Sequence, residues 1–214
     1  MPQFQALIEG YRRFRLGDYR EQRERYDKLA RGQSPGVMVI ACSDSRVDPT
    51  RVFDAEPGQM FVLRNIANLI PPYSAIEGQS SVAAALEYAI TIIEVHYVVV
   101  FGHGGCGGIA AALAGEFDQA GVGEHVRRWM NFIAPAREQV RAAQALSPDI
   151  DAQRALEQAS VRLSLANART YPFVAAAEAA GQIQLQGVLF DIADGGLRML
   201  DPATDRFEAV SVEL

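Results

Sequence analysis

Short apolar runs that stop at glycine or proline alternate with longer stretches of helical period. A β-branched run with no polar face, flanked by turn formers, reads as a buried strand. Residues 37–41 (Val-Met-Val-Ile-Ala) and 98–101 (Val-Val-Val-Phe) have this form, and 60–65 and 183–190 read as further strands. Residues 80–94 form an Ala-rich helix with Val82, Leu86, Ile90 and Ile93 on one stripe. Residues 109–114, 126–146 and 151–167 are also helical, and the apolar positions of the last two are only partial. Gly115–Gly123 breaks the first of these, and Ser147-Pro148 divides the other two. Pro172 opens a helix that ends before Gly181. Between the first two strands lie Asp48-Pro49, a short helical segment at 51–53 and a turn at Glu56-Pro57-Gly58. After the last long strand, Ala193-Asp194-Gly195-Gly196 is a tight turn that returns 197–200 as an edge strand. Strand–helix–strand succession sets up right-handed crossovers. The prediction is an α/β fold, a four-stranded parallel sheet with one antiparallel edge, flanked by helices.

Residues 1–31 differ in character. Phe4, Leu7, Ile8 and Tyr11 recur at helical spacing, and Arg12, Arg13, Arg15, Asp18, Arg20 and Glu21 then crowd together. Gly17 separates two helices and Gly32 closes the second. The pattern fits a helix pair packed on its own domain or an arm laid on a partner. With no repeat, low-complexity tract or linker, 1–214 is expected to be one domain with 1–31 as its helical arm. A chain of 214 residues, 49% hydrophobic, can fill a core. A net charge of −6 argues against a nucleic-acid partner. No apolar run is long enough to span a bilayer, and the N-terminus lacks the apolar core of a secretion signal. The expectation is a cytoplasmic protein without membrane contact, consistent with two cysteines that leave none for a disulfide once a metal takes them.

Chemistry concentrates at two strand ends. Cys42 follows the first strand and opens Cys42-Ser43-Asp44-Ser45-Arg46, and the strand at 98–101 runs into Gly102-His103-Gly-Gly-Cys106-Gly-Gly108. In an open α/β sheet the carboxyl ends of neighbouring strands face one crevice. Two strands therefore deliver Cys, Asp, His and Cys to one place, and thiolate, imidazole and carboxylate are ligands of zinc. The glycines around Cys106 could equally cradle a phosphate at a helix start, but the Lys and Ser/Thr of a phosphate loop are missing. Redox chemistry of a dithiol is disfavoured because Cys42 and Cys106 are not in a Cys-x-x-Cys spacing. Cys-x-Asp-x-Arg after one strand with His-x-x-Cys after another points to a metal site.

Ala41–Val47, Arg64-Asn-Ile-Ala-Asn68, Leu86-Glu-Tyr88 and Gly102–Gly108 together resemble the β-class carbonic anhydrases, in the family's order. The resemblance implies that Cys42, His103 and Cys106 bind Zn2+, with Asp44 and Arg46 as a dyad beside the metal's fourth position. It implies strand order 2-1-3-4 with the antiparallel edge strand fifth, and a dimer, or an assembly of dimers, whose N-terminal helices embrace the neighbouring subunit. The implied reaction is reversible hydration of carbon dioxide to bicarbonate and a proton by zinc-bound hydroxide. Asp44 would accept a hydrogen bond from the nucleophile, and Arg46 would hold Asp44 ionised through a bidentate pair.

Asp44 could instead ligate the zinc and shut the site, and its spacing to Arg46 permits both. Gln33, Phe61, Ile66 and Tyr88 match the constitutively open, plant-like members of the family, and Val39 stands where switchable members carry tryptophan. Arg64 occurs in both groups and does not discriminate. In the open members Gln33 would donate to bicarbonate while Phe61 and Tyr88 wall the pocket across the dimer interface, with Ile66 lining it. All three apolar residues also suit an ordinary core, and Gln33 an ordinary surface turn. Two alternatives share the same residues: a carbonyl sulfide or carbon disulfide hydrolase on this fold, and a non-catalytic zinc protein. Arg46 speaks against the second, because a structural site has no need of a guanidinium to keep a carboxylate off the metal. His96 and His125 are spare histidines able to carry protons near neutral pH, but neither sits in a motif.

Overall fold

β1 (Val37–Cys42) lies between β2 (Met60–Asn65) and β3 (Tyr97–His103) and is parallel to both. That position explains its unbroken apolar run. Met38 and Ile40 enter one core, and Val39 and Ala41 enter the other, so neither face has room for a polar side chain. The computed structural model describes residues 2–75 and 80–212. β3 continues in parallel to β4 (Gln184–Phe190), and the antiparallel strands β5 (Leu197–Asp201) and β6 (Arg206–Ala209) complete the sheet in the order 2-1-3-4-5-6. The parallel part and its order agree with expectation. The antiparallel edge is two strands rather than one. β6 is four residues with a single large apolar side chain, Phe207, too short for its period to be read without β5 beside it.

Helices cover both faces. α5 (Ser81–Tyr88) starts at the Ser80 side chain, which accepts from the Ala83 N–H, and continues as a π-helical turn over Ala89–Ile93. Val82 and Leu86 from α5 join α10 (Pro172–Ala179) over one face. On the other face lie α6 (Gly107–Ala114) and α8 (Ala134–Leu146). The single helix expected over 126–146 is in fact α7 (Glu124–Met130), a 3₁₀ turn at Asn131–Ile133, and α8. Pro135, which lacks an N–H, sits in the first turn of α8 and forces that restart. The helical segment expected at 51–53 is α4 (Pro49–Val52), capped by Asp48, whose carboxylate accepts from Thr50 N–H at 2.9 Å.

The arm comprises three helices rather than two. α1 (Pro2–Leu16) and α3 (Arg23–Leu29) flank the short α2 (Asp18–Glu21), with breaks at Gly17 and Gln22. α1 buries none of its residues, so Phe4, Leu7 and Tyr11 stay exposed. The aromatic rings of Phe14, Tyr19 and Tyr26 pack on one another at the hinge.

α9 (Ala152–Ala168) is the helix that links both cores, with Leu156 in one and Val161 and Leu165 in the other. It approaches the sheet closely enough to require glycine beneath it. A β-carbon at Gly102 of β3 would lie 2.6 Å from Cγ2 of Val161, and one at Gly187 of β4 would lie 2.8 Å from Cγ1 of the same residue. Val161 is fully buried and stiff at its branched carbon, so it cannot yield cheaply. Gly102→Ala and Gly187→Ala should each destabilise the fold by about 1–3 kcal/mol, as overpacked cores do. Urea denaturation should show lower midpoints at unchanged slope, and a midpoint equal to that of the native chain would contradict the close approach.

Candidate metal centre

Parallel pairing of β1 with β3, in the register Ala41↔Phe101, puts the carboxyl ends of the two strands side by side. Cys42 ends β1, His103 ends β3, and Cys106 stands at the N-cap of α6. One ligand atom from each of these three buried residues lies within 4.8 Å of the others. The sulfurs of Cys42 and Cys106 are 4.0 Å apart and both cysteines are free. A disulfide would hold them at about 2.05 Å. Two thiolates on one tetrahedral zinc, each at about 2.3 Å, stand roughly 3.8 Å apart, which this spacing matches.

The imidazole supports the same reading. Nδ1 of His103 is 3.0 Å from the Gly104 carbonyl oxygen. A carbonyl only accepts, so Nδ1 carries the hydrogen and the lone pair is on Nε2. Nε2 is buried and finds no hydrogen-bond partner among the described residues. An orphaned buried acceptor beside two thiols costs free energy unless something occupies it, and a metal cation is what the three donors share. Proton affinities agree. Cys42 is drawn below the ordinary thiol range, chiefly because the Cys106 thiol donates a hydrogen bond to its thiolate, against the cost of burial. Cys106 is pushed up by the Cys42 thiolate and by burial. One thiol thus gives up its proton more readily than the other, and a bound cation would favour the loss of both.

Asp44 lies alongside. Its Oδ2 is 3.9 Å from Nε2 of His103, but both carboxylate oxygens are taken by Arg46. Nε donates to Oδ1 at 2.9 Å and Nη2 to Oδ2 at 2.7 Å, and the Arg46 backbone N–H adds a third bond to Oδ1 at 2.9 Å. Nη2 also donates to the Gly105 carbonyl at 2.9 Å, tying the two loops together. The Arg46 guanidinium holds the Asp44 carboxyl well below the usual carboxylate range, outweighing partial burial.

Arg64, whose side chain reaches back from β2, organises the loop that carries Cys42 and Asp44. It donates to the carbonyls of Cys42 (2.9 Å), Asp44 (2.7 Å) and Val47 (3.0 Å) and pairs with Asp48 at 3.3 Å. Sequence reasoning gave it no discriminating weight. An arginine inside an otherwise apolar strand was the available signal. Asn65 shapes the next loop, exchanging side-chain hydrogen bonds with both backbone groups of Leu69. Within that loop Ala67 and Asn68 adopt left-handed conformations, with φ of 61° and 49°.

The structure brings Cys42, Asp44, Arg46, His103 and Cys106 together. Ile66 stands at the rim. A β-carbon at Gly108 would lie 3.3 Å from its Cγ2, and Trp129 Nε1 donates to its carbonyl at 2.9 Å. Gln33, Phe61 and Tyr88 are elsewhere in the chain. Phe61 pairs with Met38, four residues before the Cys42↔Asn65 pair, roughly 13 Å along the strand at about 3.3 Å per residue. Tyr88 packs on Phe61 with ring centroids 5.9 Å apart. Gln33, ahead of β1, lines a surface cavity of about 700 Å³ with Arg25, Leu29, Pro57 and Gly58.

Comparison with known proteins accords with this geometry. The sequence model of the family described as Carbonic anhydrase matches residues 37–197. Beta carbonic anhydrase 3 of Arabidopsis thaliana is 35% identical over 193 residues, covering 89% of this chain and 74% of its own. A carbonic anhydrase of Pseudomonas aeruginosa is 36% identical over 206 residues, covering 96% of this chain and 91% of its own. Among solved structures, the β-carbonic anhydrase CcaA superposes with a TM-score of 0.91 at 32% identity, over 97% of this chain and 100% of that one. A tetrameric β-carbonic anhydrase of Sordaria macrospora gives 0.82 at 27% identity, over 94% and 98%. With the Cys–His–Cys cluster at the carboxyl edge of a 2-1-3-4 parallel sheet, and with relatives that cover nearly its whole length, the chain belongs to the β-class carbonic anhydrases.

Proposed function

We propose that the protein catalyses reversible hydration of carbon dioxide to bicarbonate and a proton, with Cys42, His103 and Cys106 holding a zinc ion. The observation that carries this reading is the unpartnered Nε2 of His103 beside two free thiols, while Asp44, the adjacent carboxylate, is occupied by Arg46. Cys42, His103 and Cys106 would hold the ion, and zinc in a site of three protein ligands would supply a water acidified to a pKa of about 7. Asp44 can accept a hydrogen bond from that nucleophile, which aims its free lone pair at the substrate carbon. Arg46 keeps Asp44 ionised and turned toward itself, so the carboxylate does not compete as a fourth ligand. That supports the constitutively open form, as does Val39, a fully packed aliphatic residue in β1.

Carbon dioxide is small and apolar, so its pocket needs apolar walls. Phe61 and Tyr88 are too far from Cys42 to serve their own subunit, but β2 is an edge strand of the sheet, and Val62, Ile66, Tyr88 and Ile92 are exposed. A second copy of the chain laid on this edge would bring its Phe61 and Tyr88 to the metal, beside Ile66, with Gln33 to donate to bicarbonate. The uncovered apolar side of α1 fits an arm on the same neighbour. The proposed assembly is a dimer or a set of dimers, as the tetrameric Sordaria macrospora relative suggests. No helix among the described residues is long and apolar enough to cross a membrane, and two free cysteines committed to a metal suit the reducing cytoplasm.

Purified protein should carry one zinc per chain and hydrate carbon dioxide in a stopped-flow assay. Cys42→Ala, His103→Ala and Cys106→Ala should each lose stoichiometric zinc together with activity, and full zinc with full rate in any of them would remove that residue from the ligand set. Arg46→Ala should keep its zinc but lose at least about 100-fold in rate, the upper range for groups that orient a metal site. X-ray absorption should then show an added carboxylate ligand. Arg46→Lys should not restore the rate, because an ammonium cannot make the planar pair. Near-normal turnover in Arg46→Ala would make the pair dispensable.

The pH profile has a definite sign. Because Asp44 titrates below the usual carboxylate range, it stays ionised and paired throughout mildly acidic and neutral conditions. The hydration rate should rise along one smooth sigmoid from acid to base. An abrupt cooperative loss below neutrality, with Asp44 on the metal, would place the chain with the switchable members.

A further inference from the structure

Glu157 is a carboxylic acid buried to 3% exposure on α9, and no part of the mechanism above uses it. Its Oε1 accepts the backbone N–H of Cys106 at 3.2 Å and the side-chain amide of Gln153 at 3.1 Å. Its Oε2 faces the Arg154 guanidinium at 3.8 Å. Arg154 is in turn paired with Asp191, which follows β4, and this group lies directly under the loop between His103 and Cys106. A β-carbon at Gly104 would sit 3.0 Å from Nη1 of Arg154 and 3.3 Å from Oδ1 of Asp191.

The backbone N–H of Cys106 is an orphan donor at the start of α6, where the helix itself supplies no acceptor. No side chain of the α6 cap satisfies it. The acceptor comes instead from a helix 51 residues further along the chain, whose place is set by Val161 against Gly102 and Gly187. Neither the burial of a carboxylic acid nor its aim at this one N–H is required to pack α9, since an apolar side chain would pack there without desolvating a polar group.

We propose that Glu157 is a positioning residue for the metal site. Its hydrogen bond fixes the backbone at Cys106, and through it the direction of the Cys106 sulfur toward Cys42 and His103. This rests on the zinc reading of the three ligands, which the zinc content of the native chain tests separately. Hydrogen-bond partners outside the ligand shell typically contribute about 10- to 100-fold in metal affinity.

The test is zinc affinity by chelator competition, with the visible spectrum of the cobalt-substituted protein as a second readout. Glu157→Ala should weaken zinc by about 10-fold or more and shift the thiolate-to-cobalt band. Glu157→Asp keeps the acid but withdraws its oxygen by one methylene, and should weaken zinc in the same direction. It also serves if the alanine variant fails to fold. Glu157→Gln keeps the length and the acceptor, and should retain native affinity and spectrum. Ser164→Ala is the control for general damage to α9, because Ser164 bonds the Asn68 carbonyl and the Ile70 N–H rather than the metal loop. It should lower thermal stability without moving zinc affinity. Native affinity and spectrum in a folded Glu157→Ala or Glu157→Asp chain would overturn the proposal, as would a loss in Ser164→Ala equal to theirs. A native chain that binds no zinc would instead fail the reading of the ligands.

Discussion

Parallel pairing of β1 with β3 is the constraint on which the site depends. Buried on both faces, the two strands pair with Met38, Ile40, Val98 and Val100 in one core and Val39, Ala41 and Phe101 in the other, and a slip of one residue would exchange the side chains of the two cores. With the register set, Cys42 and His103 leave the sheet side by side. The short glycine-rich loop after His103 then returns Cys106 to the same place at the start of α6. Strand pairing thus places Cys42 and His103, and the loop and the start of α6 place Cys106.

The electrostatics of the site follow from that convergence. Two thiols 4.0 Å apart in a buried position resist ionising together, so the first proton leaves easily and the second is held back. A carboxylate beside them would be a natural further ligand. Here Arg46 takes both oxygens of Asp44 in a planar, bidentate pair, which a lysine ammonium cannot make. Arg64 does the equivalent for the backbone, collecting three carbonyls of the loop that a short turn would otherwise leave exposed. One arginine thus sets the direction of a side chain and the other the path of the chain.

α9 supplies the back wall. Its buried face carries Glu157, Ser160, Ser164 and, at its end, Asn167, spaced three or four residues apart. Glu157 meets Cys106, Ser164 meets Asn68 and Ile70, and Asn167 donates to the Ile70 carbonyl at 2.7 Å. The metal loop and the loop that follows β2 are therefore fastened to one helix. The cost of burying Glu157, Ser164 and Asn167 is offset because each meets a backbone group of a loop, while Ser160 donates to the Glu157 carbonyl of its own helix at 2.8 Å.

Local pattern was enough to read much of this from the sequence. The apolar runs ending at Cys42 and before His103, the turn formers around them and the ligand types at their ends require no knowledge of distant residues. Asp44 and Arg46, two positions apart in one loop, were legible for the same reason. What tertiary structure decided was every relation between remote segments. Residues 151–167 read as a helix with partial apolar periodicity, and the interruption was Glu157, Ser160 and Ser164, polar side chains facing inward. Their inward aim has no local signature, because it exists only where the loops they bind are brought beneath α9. β6 escaped notice because four residues at an edge acquire their structure from the strand next to them. Gln33, Phe61 and Tyr88 show the same boundary from the other side: their types can be read from the sequence, but the tertiary structure shows that they stand away from Cys42.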